Sequence, residues 1–131
     1  MLRTRPSRGH KWTEIPDSSR LLVSRKRCRI CNAFYGKLVE RDGKVFLAKQ
    51  VLHHLIARRF LEERGIDAHR PGNLYSICSN CHGRTQGFEE ALFRGDLLTF
   101  LQGSKRIGLP VEKIVQFALS VGLKEFQGLF K

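Results

Sequence analysis

Four cysteines, and the way they are grouped, constrain this chain more than any other feature. They stand as Cys28-Arg29-Ile30-Cys31 and Cys78-Ser79-Asn80-Cys81, with no other cysteine in the chain. Two thiolates two residues apart can approach one metal from a tight turn, and two such pairs complete the tetrahedron that zinc prefers. The interval from Cys31 to Cys78 exceeds that of a compact zinc ribbon, so a folded element is expected between the pairs. A redox dithiol is the competing reading, but it does not account for two separate pairs. Four thiolates around Zn²⁺ carry a formal charge of −2, and Arg25, Lys26, Arg27 and Arg29 stand beside the first pair, where they can offset it.

Charge narrows the class of partner. The chain of 131 residues has a net charge of +12, enough length for one domain and too little for two ordinary ones. Nine of its basic side chains fall within residues 1–29, against only Glu14 and Asp17. A localised basic field attracts polyanions, nucleic acid first among them. Arg25, Lys26 and Arg27 are the candidate phosphate contacts there. A membrane partner is not expected, because no apolar run approaches the ~20 residues of a spanning helix and the basic segment lacks a lipid-facing stripe. The basic Met1-Leu2-Arg3 start has no apolar segment after it, so a reducing cytoplasm is the expected compartment.

Along the chain, residues 1–20 are polar and basic without a sustained period and read as a mobile arm, with Trp12 available to dock it or to stack on a base. Residues 33–46 read as a hairpin turning at Asp42-Gly43. Residues 47–56, around His53-His54, fit strand or helix equally. Arg58 to Arg64 reads as a helix ending at Gly65, Leu74–Ile77 as a short strand, and Ser79 or Asn80 as the cap of a following helix. The tail carries apolar residues at helical spacing: Leu92, Phe93, Leu97, Leu98 and Leu101, then Val111, Ile114, Val115, Ala118 and Leu119. Gly103 to Pro110 is expected to punctuate it.

Three histidines stand close to these landmarks: the adjacent His53-His54, and His82 directly after Cys81. Neighbouring side chains on an extended segment point to opposite faces. If one of the pair faces His82, the other needs a local twist or a strand end to reach the same place. Together they offer two metal ligands and a third imidazole free to act as a base.

The order Cys-x-x-Cys, then His53-His54-Leu55-Ile56, then Asn73-Leu74-x-x-x-Cys78-x-x-Cys81-His82 is similar to the HNH endonucleases, the ββα-metal or His-Me finger nucleases. The resemblance covers about residues 28–87, and the small size looks like stand-alone bacteriophage members of that family. It implies an α+β fold with a ββα-metal core at 28–87 holding four-cysteine zinc, a basic N-terminal arm at 1–27, and a helical extension of the same domain at 88–131. It implies that His54 is the general base, that His53 and His82 ligate a catalytic Mg²⁺ or Mn²⁺, and that Asn73 braces the loop and helps orient the base. It also implies that Cys28, Cys31, Cys78 and Cys81 hold a structural zinc.

One departure concerns Gln86, which stands four residues after His82 where many members carry a further His or Asn ligand; the third ligand is then either the Gln86 carbonyl, acceptable to Mg²⁺ or Mn²⁺, or water. Arg84 is a candidate phosphate contact on the helix face. The activity implied is metal-dependent hydrolysis of double-stranded DNA, nicking one strand or cutting both, by a monomer in the cytoplasm of a bacterial host, alone or beside phage packaging proteins. The alternative is a zinc-stabilised DNA-binding module whose nuclease site is inactive.

Overall fold

The structure, a computed structural model, describes residues 14–130. The first thirteen residues of the arm, Trp12 among them, lie outside the described residues. The architecture is mixed α+β: two separate two-stranded antiparallel sheets, followed by a run of helices. None of the described helices is long and apolar enough to cross a membrane.

The end of the basic segment differs from expectation. Asp17–Val23 forms a short helix, α1, that packs against strand β4 (Leu74–Cys78) and the turn before it. Asp17 lies in its first turn, where a carboxylate favours the helix dipole, and Ser19 is buried beneath it. Two turns with Leu21 and Leu22 on the outside carry no amphipathic period, so only the tertiary contact reveals the helix.

The expected hairpin is present as β1 (Leu38–Arg41) and β2 (Lys44–Leu47), paired antiparallel with Arg41 opposite Lys44. Asp42 and Gly43 take φ of 53° and 77°, the two left-handed residues that a two-residue turn matching strand twist requires. Val39 and Phe46 face the core, while Leu38 and Val45 face out.

The ambiguous run after it is a strand. β3 (Gln50–His54) pairs antiparallel with β4, with Gln50 opposite Cys78, His53 opposite Tyr75 and His54 opposite Leu74. Between them the chain runs through α2 (Arg58–Glu62) and a 3-10 turn at Pro71–Asn73. Directly after β4 comes α3 (Ser79–His82), packed on both strands of the ribbon. Neither Ser79 nor Asn80 caps it. Cys78 does, its Sγ accepting the amide of Cys81 at 3.5 Å.

The tail folds as α4 (Gln86–Phe93), α5 (Leu97–Ile107), α6 (Val111–Ser120) and α7 (Lys124–Gln127). The expected break within Gly103 to Pro110 is present but begins only at Gly108, and a second break falls before α5. Gly103 lies inside α5, not at a break, because a Cβ there would fall 2.5 Å from the Cβ of Phe88; the missing side chain lets α4 and α5 close on each other. The breaks come at Gly95-Asp96, where Asp96 caps α5, and at Gly108 to Pro110. Nor is every apolar tail residue core: Phe93, Leu98 and Leu119 are exposed, while Phe100, Ile114 and Phe126 are fully buried. One continuous apolar cluster links Cys28 and Cys81 through Ile56 and Leu61 to these tail residues.

The tail yields one pH prediction. Burial pushes the Glu89 carboxyl on α4 up to about 7, above the value of 4.5 it has when free. The folded chain therefore holds that proton more tightly than the unfolded one, and stability is withdrawn as pH rises from 4.5 through 7. Glu89→Gln is expected to raise the melting temperature at pH 8 and to change it little at pH 5. Thermal melts followed by circular dichroism check this; an equal effect at both pH values would refute it.

Candidate functional site

The two cysteine pairs meet. Cys28-to-Cys31 is a turn held by the amides of Ile30 and Cys31 donating to Cys28 Sγ at 3.3 and 3.4 Å, with Asn32 in a left-handed conformation closing it. The amide of Arg29 donates to the carbonyl of Ser76, which docks this turn beside β4. All four Sγ atoms lie within 4.8 Å of one another, with Cys28 to Cys81 and Cys31 to Cys78 each 3.7 Å apart. A tetrahedron with Zn–S bonds of about 2.3 Å has S···S edges of about 3.8 Å. The four residues thus match a metal-holding set, and among the described residues no other group of three or more His, Cys, Asp or Glu does.

Their electrostatics agree. Burial raises the Cys28 thiol, but hydrogen bonds from the backbone of Cys31, Cys78 and Ile30 outweigh it and bring the value down to about 7. Burial pushes the Cys78 and Cys81 thiols up, and negative charge on Cys28 pushes them further. The Cys28 thiolate forms easily and those of Cys78 and Cys81 do not, unless a cation shares the cluster.

The histidines divide into two pairs. His53, at 2% exposure, faces His82 on α3 with ring centroids 5.3 Å apart. Its Nε2 is the only buried side-chain nitrogen or oxygen among the described residues that lacks a hydrogen-bond partner. His54, at the end of β3, turns to a residue the sequence reading missed: its Nε2 lies 3.0 Å from Nδ1 of His69. His69 is buried in the loop between α2 and the 3-10 turn, its amide bonded to Asp67 Oδ1. His54 stands at the end of β3, and its ring pairs with His69 while that of His53 pairs with His82.

All three site imidazoles are held neutral. Burial drives His53 down to about 3, aided by His82 and His54, and drives His54 down to about 4, aided by His69 and Arg58. Burial likewise lowers His82. An unfolded chain takes up protons near pH 6.5, so the stability these groups confer is lost as pH falls from there through the folded values. At neutral pH each presents a lone pair, the form that binds metal or accepts a proton.

Asn73 is fully buried and braces the frame. Its Oδ1 accepts the amide of Ile56 at 2.8 Å, and its Nδ2 donates to the carbonyls of Ile56 and Ala68. Among the described residues it makes no bond to an imidazole; instead it ties together the backbone at Ile56, two residues after His54, and at Ala68, next to His69. Any orienting of the base therefore passes through the backbone.

Gln86 and Arg84 lie beyond the end of α3. α3 ends at His82, where Thr85 Oγ1 donates to the His82 carbonyl, and a new helix begins at Gln86. Gln86 is exposed and does not follow His82 on one continuous helix, so the i, i+4 ligand geometry is lost. Arg84 is exposed and lines a groove between α4 and α5, together with Phe88, Gln102 and Arg106. Arg25, Lys26 and Arg27 instead line an open cavity beside the first cysteine turn.

Comparison of the chain with protein-family models, with curated proteins and with solved structures finds no match.

Proposed function

We propose that the chain is a metal-dependent endonuclease of the HNH type that hydrolyses DNA phosphodiester bonds. The observation that carries this reading is the orphaned Nε2 of His53 opposite the His82 ring, because an unpartnered buried nitrogen costs stability unless something binds it. The succession of β3, β4 and α3, with these imidazoles on the first strand and the helix, supports it. So does the cysteine cluster, which fits a structural zinc holding the base of that ribbon.

In this reading His53 and His82 hold a divalent cation, Mg²⁺ or Mn²⁺. Such a cation supplies electrostatic stabilisation of the charge that develops on a phosphate under attack. The remaining work belongs to the chain. His54 accepts the proton of the attacking water as the new P–O bond forms and the bond to the leaving oxygen breaks. It does so at Nδ1, because Nε2 is engaged with His69. This requires His54 to carry its own proton on Nε2 and donate it to His69 Nδ1, so His69 fixes the tautomer in which the base is competent. Asn73 keeps the two loops that carry this pair in register.

The competing reading, a zinc-stabilised DNA-binding module without activity, draws on the solvent-facing Gln86, which leaves the cation two protein ligands. Plasmid cleavage separates the two. Supercoiled DNA should be converted to nicked circle on addition of Mg²⁺ or Mn²⁺. Brief EDTA treatment should stop cleavage while the fold and bound zinc persist, and added Mg²⁺ should restore it. Binding without any metal-stimulated cleavage would overturn the proposal.

A further inference from the structure

The open cavity beside the first cysteine turn has a volume of about 690 Å³ and is lined by Arg25, Lys26, Arg27, Arg29, Phe34 and Tyr75, among others. Its four cations exceed the formal −2 of a zinc tetrathiolate, and among the described residues none of them pairs with a carboxylate. Two lie over aromatic rings. The Arg27 guanidinium lies 4.0 Å from the centroid of Phe34, and that of Arg29 lies 4.4 Å from Tyr75. Backbone pairing holds the first stack, since Arg27 and Phe34 form an antiparallel bridge, and Phe34 is 47% exposed. The exposed Arg27 guanidinium held over the ring and the exposed part of Phe34 together offer solvent a cationic and an apolar surface side by side.

We propose that this cavity receives one unpaired nucleotide of a DNA strand. The base stacks on the Arg27–Phe34 platform, and its phosphates are held by Arg25, Lys26 and Arg29. Planar stacking needs an exposed base face, which a duplex interior does not offer; single strands do, and aromatic and guanidinium planes are the surfaces that take them. The cavity also connects to the histidines. Tyr75 stands directly opposite His53 across the ribbon, and such partners share a face with Cβ atoms about 4.5–5.5 Å apart. The lining of the cavity thus includes the cross-strand partner of His53. Resting on the nuclease reading, this makes the preferred substrate DNA with unpaired nucleotides beside the cut, such as a flap, gap or frayed end.

Binding without catalysis tests the cavity separately from the nuclease. The full chain, without added Mg²⁺ or Mn²⁺, is titrated with a fluorescent twelve-nucleotide oligothymidine and with a duplex of the same length. Phe34→Ala is expected to weaken single-strand binding about five-fold or more, the effect of losing one stacked base, and duplex binding less than two-fold. Phe34→Trp should keep single-strand affinity, and Arg27→Lys, which retains charge but not the plane, should lower it. A 2-aminopurine in the oligonucleotide should be quenched by wild type and not by Phe34→Ala. Equal effects of Phe34→Ala on both DNAs, or none on either, would overturn the proposal. Phe34-dependent quenching without plasmid cleavage would leave the cavity standing and sink the nuclease.

Discussion

Cys81→Ser should yield a chain that does not reach a stable fold. Cys81 is buried at the junction of three structures: the cysteine cluster, helix α3 and the apolar core. Loss of one thiolate from a tetrahedral set removes most of the metal affinity. Structural zinc sites contribute about 10–16 kcal/mol of apparent binding free energy at neutral pH, whereas a domain has about 5–15 kcal/mol of net stability. The metal term is as large as the whole margin, so its loss is not offset by the remaining core. Zinc content by elemental analysis should fall from one per chain to well below it, far-ultraviolet circular dichroism should show an unfolded or aggregated product, and added Mg²⁺ should rescue nothing. A Cys81→Ser protein that stays folded and fully active would mean that the cysteines are not a structural metal site.

The second large effect belongs to the histidines. His54→Ala is expected to lower the cleavage rate about 10²–10⁴-fold, the usual contribution of a general base, while leaving the fold and DNA binding intact. Excess Mn²⁺ should not recover it. His53→Ala and His82→Ala should lose activity in a different way, because in the proposed reading they remove cation ligands and leave the base, and high Mn²⁺ should partly restore both. Metal titrations of all three variants in the plasmid assay make the comparison. If the three respond to Mn²⁺ alike, the roles are wrongly divided. Wild-type cleavage by a folded His54→Ala protein would remove His54 from the chemistry altogether.

These two expectations act on structures of different origin. The cysteine cluster was legible because each half of it is local: two residues between thiols suffice to turn both sulfurs toward one point, whatever surrounds them. The same holds for Asp42-Gly43, where residue type and backbone conformation are matched over two positions. The pairing of His53 with His82 was half legible. Alternation along β3 implies that only one of His53 and His54 can face α3 squarely, but nothing in the chain said which until the register with β4 and the placement of α3 were known.

What the sequence alone determined, then, is the set of reactive side chains and the short turns that present them. The tertiary structure decided their partnerships. His69 lies fifteen residues from His54, in a loop without periodicity, and reaches it because Asn73 bonds backbone on either side of that loop. Gln86 was separated from His82 by the end of α3, a stop that intervenes before α4 packs against α5 across Gly103. The platform of Arg27 on Phe34 and of Arg29 on Tyr75 arises where the first cysteine turn docks beside β4. Each of these depends on contacts between segments distant in the chain, whose energies come from burial and from satisfying buried polar groups. Residue spacing carries no record of such contacts, because they are made only when the core has closed.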